Sequence, residues 1–131
     1  PLIKGDLEQI GRVITNLIKN STEALPDGVG RVEITVDETD SSPFETVKLE
    51  AAKFKVHHYA VLSVSDNGRG IPEDLIDKIF DPFVTSKFTG RGLGLAAAQG
   101  TVKGHDGILK AESKIDSGTT FKMFLPSVKP D

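Results

Sequence analysis

The chain has 131 residues, a formal net charge of −3, 37% hydrophobic and 27% charged side chains, and no cysteine. Such a chain can bury one core without disulfide or thiolate-zinc support; its composition excludes a disordered polymer, and its charge excludes the basic footprint of a nucleic-acid binder. No apolar run approaches the ~20 residues that span a bilayer, so one globular domain over residues 1–131 without direct membrane contact is expected, read as a piece of a longer protein because it starts at Pro1 with nothing leader-like before Asp6.

In chain order, the first predicted element is a helix from Asp6 to about Leu25. Leu7, Ile10, Ile14, Leu17, Ser21 and Leu25 recur at steps of three and four, Asp6 is placed as N-cap, and "PDG" at 26–28 supplies the stop. "RVEITV" at 31–36 alternates as a half-buried strand does, and the polar stretch 37–52 reads as a protruding connection. A second β-rich run, about 54–65, ends in a Gly-rich turn at Asn67–Gly70, and Pro72 with "EDLIDKIF" reads as a short helix. The irregular segment 81–92 is a candidate lid. "LGLAAAQGTVKG" reads as a helix closed by Gly104 and Gly107, and "ILKAES" and "TTFKMFLP" as closing strands around the turn "KIDSG". This order predicts an α/β two-layer sandwich with helices on one face of a mixed, mainly antiparallel sheet.

Several constellations can carry chemistry. Asn16 and Asn20, four apart, project about 40° apart beside the apolar stripe; such amides bridge loops, or offer a hard oxygen to Mg²⁺ that phosphates and water otherwise hold. Glu23 extends that face, or pairs with Lys19 as a solvated i,i+4 contact. In "SDNGRGIP", Asp66 can accept from an exocyclic amine, with Gly68 and Gly70 allowing close backbone approach; a plain Asn67–Gly68 turn is the competing reading. Phe80 and Phe83 flank Pro82 and either pack on the core or anchor a moving segment. Lys87 and Arg91 can meet phosphate or remain solvated. The spacing of Gly90, Gly92 and Gly94 matches neither common nucleotide fingerprint and stays open between a phosphate cradle and a turn. His57, His58 and His105 lack a metal-ligand pattern, and no nucleophile motif supports acyl transfer.

The ordered set "NLIKN", "DNGRGIP", "IFDPFVTSK", "GRGLGL" and "SGTTFKMFLP" strongly resembles the catalytic ATP-binding domain of bacterial two-component sensor histidine kinases, within the fold shared with DNA gyrase, mismatch-repair ATPases and certain chaperones, over about residues 6–126. The resemblance implies ATP and Mg²⁺ as cofactors. Asn20 would be the Mg²⁺ ligand, and Asn16 would stand where hydrolytic relatives carry a water-activating glutamate. Asp66 would receive the adenine amine beside Gly68, Gly70 and Ile71, with Thr119 fixing Asp66 or a water. Phe80 and Phe83 would anchor the ATP lid. Gly90, Arg91, Gly92, Leu93, Gly94 and Leu95 would line the phosphates, and Lys87 would neutralise them.

An amide at position 16 cannot act as a base, which favours phosphoryl transfer over hydrolysis. The family's acceptor histidine lies on a separate helical dimerisation domain, absent from this sequence, and a response regulator follows downstream. This fragment is accordingly expected to be a cytoplasmic monomer and the full-length protein a homodimer. Glu23 stands where the family is often basic and Asp116 where glycine is common, and the lid from Val84 to Gly90 is short, as in the nitrogen-regulation subtype. An anti-sigma-type serine kinase, silencing a partner by binding it, is the alternative.

Overall fold

In the computed structural model, residues 2–40, 58–81 and 95–128 are described. The elements are β1 (Leu2–Ile3), α1 (Leu7–Glu23), a 3-10 turn (Pro26–Gly28), β2 (Val32–Thr39), β3 (Tyr59–Asp66), α2 (Glu73–Ile76), α3 (Leu95–Gly104), β4 (Ile108–Lys114) and β5 (Gly118–Val128).

The sheet is built around β5. It pairs with β3 from Ser65↔Thr120 to Tyr59↔Pro126, with β4 from Lys114↔Gly118 to Ile108↔Phe124, and with β1 at its last two residues; β2 completes the order beyond β3. All the described pairings are antiparallel. Alternation sets the faces: Phe121, Met123 and Leu125 of β5 are buried with Val64 of β3 and Leu109 of β4.

Against that face lie the helices. Ile10, Val13 and Leu17 of α1 meet Leu95, Ala98 and Val102 of α3 in one cluster, each set at helical spacing. Leu17 and Val102 are fully buried, and truncating a side chain so placed costs about 2–5 kcal/mol. Helix α1 starts as its sequence dictates, the Asp6 carboxylate accepting from Gln9 N at 2.9 Å.

Some elements differ from expectation. Strand β2 runs on through Thr39, because its whole length pairs with β3. Helix α2 has only four residues, and Lys78 and Asp81 continue in successive turns. After α3 the left-handed residue is Asp106, at φ 61°, rather than a glycine. Strand β1 was not anticipated. Beyond Asp81, the lid segment lies outside the described residues, as do 93 and 94 of the predicted helix.

Candidate functional site

The base-binding candidates converge on a loop, residues 67–71, that hydrogen bonds stitch down on several sides. Asn67 N donates to Arg31 O and the Asn67 side-chain oxygen accepts from Arg31 N at 2.7 Å, which ties the loop to the start of β2. Arg69 N donates to Ala24 O at the end of α1, and Arg69 O accepts from Asp116 N in the β4–β5 turn. Ile71 N donates to the Ser113 hydroxyl at 2.7 Å. The simple Asn-Gly turn is thereby replaced. Neither Asn67 nor Gly68 has positive φ, as a type I′ hairpin requires, and Gly70 takes that role at 74°.

Asp66 ends β3 at the head of this loop and is 6% exposed. Its Oδ1 accepts from Gly68 N at 2.9 Å and from Thr119 N at 3.3 Å, so two backbone N–H groups from different segments hold one carboxylate. Gly118 makes the approach of β5 possible: a Cβ there would sit 1.9 Å from Asp66 O, and its φ is 114°. Side chains at Gly68 and Gly70 would likewise collide with the backbone at Ala24 and Lys114. Thr119 is 2% exposed, its hydroxyl 2.7 Å from that of Ser113.

Helix α1 carries the second group toward the first. Asn20 lies one turn, about 6 Å of rise, before Ala24, whose carbonyl meets the loop. It sits within the buried stripe, fully covered, and not beside it. Its Nδ2 donates to Asn16 Oδ1 at 2.8 Å and to Asn16 O at 2.9 Å. The amide oxygen, the only atom of that group a hard cation accepts, occupies the other arm. Among the described residues no group of three His, Asp or Glu side chains is placed to hold a metal. An amide oxygen of this kind is a donor for an ion that takes one protein oxygen and completes its shell from phosphates and water.

The remaining candidates divide. Ile71 and Leu95 have side chains in the core, each 1% exposed, and Phe80 packs against it, as the core reading of Phe80 expects. His58 pairs with Asp40, and His105 accepts from Asp6 N through Nε2 while its Nδ1 meets Thr101 O. Phe83, Lys87, Gly90, Arg91, Gly92, Leu93 and Gly94 lie outside the described residues. Sequence reasoning missed Ser113 and Asn67 as parts of the site. Asn67 was legible only as a turn former, and Ser113 is visible only through its cross-strand partner, Thr119.

A buried carboxylate at a strand end and a paired amide on the adjoining helix thus stand on a two-layer α+β frame. The chain belongs to the family of histidine kinase-, DNA gyrase B- and HSP90-like ATPases, whose model matches residues 5–129. Among its relatives are the sensor kinase CckA of Brucella abortus, 38% identical over 95% of this chain and 13% of that protein; sporulation kinase A of Bacillus subtilis, 37% over 95% and 18%; and the sensory histidine kinase/phosphatase NtrB of Rhizobium meliloti, 36% over 98% and 33%. The chain spans a third or less of the length of these relatives. Its fold matches the catalytic domain of histidine kinase ThkA (TM-score 0.67, 28% identity, 95% of this chain and 70% of that one) and the mycobacterial sensor histidine kinase MprB (0.71, 27%, 95% and 76%). ThkA has also been solved in complex with the response regulator TrrA (0.69, 26%, 96% and 30%).

Proposed function

We propose that this chain is the catalytic domain of a two-component sensor kinase, binding Mg-ATP and passing the γ-phosphoryl group to a histidine on a separate helical domain. The observation that carries the reading is the Asp66 carboxylate, buried, held by Gly68 N and Thr119 N, at the head of a loop whose Arg69 N bonds Ala24 O, one helical turn after Asn20 of the Asn16–Asn20 pair. An acceptor-only group in that setting takes the exocyclic amine of adenine.

In the transfer, the imidazole nitrogen of the acceptor forms a bond to phosphorus as the bond to the bridging oxygen breaks, and ADP leaves with that electron pair. The domain's task is placement and charge balance. Asn20 would hold the magnesium ion through Oδ1, and the ion would supply neutralisation of the phosphate charge. Asn16 orients Asn20 and, being an amide, takes no proton from water, which disfavours hydrolysis. Lys87, Arg91, Leu93 and the glycines 90, 92 and 94 would meet the phosphates, and Phe83 would anchor the lid. Among the described residues no helix is long and apolar enough to cross a membrane. The reading implies a cytoplasmic site, where ATP and a response regulator are available, and a monomeric fragment of a dimeric protein.

The test is calorimetric titration of ATP with and without Mg²⁺, followed by incubation with labelled ATP and a supplied helical acceptor domain. Wild type binds, Asp66→Asn, which retains an oxygen for the two N–H donors but turns an NH₂ toward the amine, binds about 100-fold more weakly, and label appears on the acceptor histidine. Failure of the wild type to bind ATP, or transfer only to a serine protein, would sink the reading.

A further inference from the structure

Ser113 of β4 stands outside every sequence motif considered, yet its hydroxyl meets three groups. It accepts from Ile71 N at 2.7 Å, donates to Gly118 O at 3.1 Å and lies 2.7 Å from the Thr119 hydroxyl, its cross-strand partner. A serine hydroxyl has one proton and two lone pairs. The carbonyl of Gly118 takes the proton and Ile71 N–H takes one lone pair, so the contact with Thr119 is supplied by the threonine's own proton. All three capacities of Ser113 are then used, and the Thr119 hydroxyl has a fixed direction.

These bonds close a ring around the carboxylate. Asp66 accepts from Thr119 N, the Thr119 side chain bonds Ser113, Ser113 holds Ile71 N, and the chain from Ile71 runs back through Gly70 and Gly68 to Asp66. Asp66 itself reaches Gly68 N in the loop and Thr119 N in β5, and Ser113 is the second side chain of the ring that bridges the loop and β5. Ile71 and Thr119 are 1% and 2% exposed, so water does not readily replace a lost partner. The β4–β5 ladder itself runs from Ile108 to Lys114 on backbone bonds and does not depend on the hydroxyl.

We propose that Ser113 is a positioning residue for base selection: it sets where the Asp66 carboxylate stands and so how strongly the site prefers a base carrying an exocyclic amine. The inference rests on the ATP-binding reading above. A site built to pair with one polar group discriminates sharply only while that group is held in place. Slack at Asp66 lowers the preference for the amine, whereas a general loosening of the pocket lowers all affinities together.

The experiment measures binding of ADP and of inosine diphosphate, which carries an oxygen where adenine has the amine, to wild type, Ser113→Ala, Ser113→Cys and Ser113→Thr in the absence of metal. Expected are an ADP affinity about tenfold lower in the alanine variant, an inosine diphosphate affinity within about twofold of wild type, and recovery of the ADP preference in the threonine variant, which keeps the hydroxyl. The cysteine variant, close in shape and a poor hydrogen-bonding partner, shifts the preference in the same direction as alanine and serves where the alanine protein does not fold. An unchanged ADP to inosine diphosphate ratio in Ser113→Ala and Ser113→Cys, or an equal loss for both nucleotides, overturns the proposal. Wild type that binds neither nucleotide overturns the ATP-binding reading, a result distinct from a normal wild type with indifferent variants.

Discussion

The side-chain nitrogen of Asn20 donates to Oδ1 of Asn16 at 2.8 Å, one helical turn back on α1. One amide thus orients the other and commits its nitrogen arm, so that the two residues act as a unit in which, on the proposed reading, Asn20 would supply the metal oxygen.

Unequal losses follow for this pair. Asn20→Ala is expected to lower Mg-ATP affinity about tenfold or more and to erase the difference between titrations with and without Mg²⁺. Asn16→Ala leaves Asn20 its bond to the Asn16 carbonyl at 2.9 Å, so the metal dependence persists. The expected loss is about threefold, and calorimetry in both conditions separates the two variants.

Gly118→Ala tests the contact between β5 and the end of β3. The added methyl would sit 1.9 Å from Asp66 O at a φ of 114°, so backbone must move. A destabilisation of about 3 kcal/mol and a fall in melting temperature of about 10 °C are expected, with nucleotide binding lost alongside. A melting temperature within 2 °C of wild type, allowing for the roughly 3 °C that each kcal/mol moves a domain of this size, would contradict the geometry.

Asp116 occupies the left-handed region at φ 63° in the turn from β4 to β5, and its side chain is exposed. Glycine adopts that conformation without the Cβ conflict, at some cost in unfolded-state entropy. Asp116→Gly is expected to raise stability by about 0.5 kcal/mol and Asp116→Ala to lower it by about 1 kcal/mol. Denaturant midpoints for the two proteins should therefore fall on opposite sides of wild type.

Ser21 is fully buried on α1, and its hydroxyl has no hydrogen-bond partner among the described residues. Removing a buried hydroxyl that makes no bond recovers its desolvation cost and adds helix propensity. Ser21→Ala should stabilise the nucleotide-free protein by about 1 kcal/mol in a denaturant titration; a loss of stability would show that the hydroxyl is used.

Much of this architecture was legible because it is local. The three-four spacing of Ile10, Ile14, Leu17 and Ser21 and the cap at Asp6 specify α1 without reference to anything distant, although Leu7 of the same stripe is exposed and Val13, outside it, is buried. Asp66, at the end of an alternating strand, was identifiable for the same reason. What escaped depends on register and on tertiary packing. Ser113 becomes part of the site only when β4 pairs residue for residue with β5, and the left-handed residue of the intervening turn is an aspartate where glycine is common. Asn20 is covered more completely than its helical angle implies, a result of tertiary packing that the helix alone does not carry. Asn67–Gly68 has the chemistry of a hairpin turn, but bonds to Arg31, Ala24 and Asp116 impose another path.

That path is held largely by main-chain atoms: Asn67 N to Arg31 O, Arg69 N to Ala24 O and Asp116 N to Arg69 O. Arg69 contributes to the shape without lending its side chain to it, so natural variation or deliberate engineering can rewrite the surface charge beside the loop at this position while its contour stays constant, whereas the left-handed backbone at Asp116 restricts the choice there.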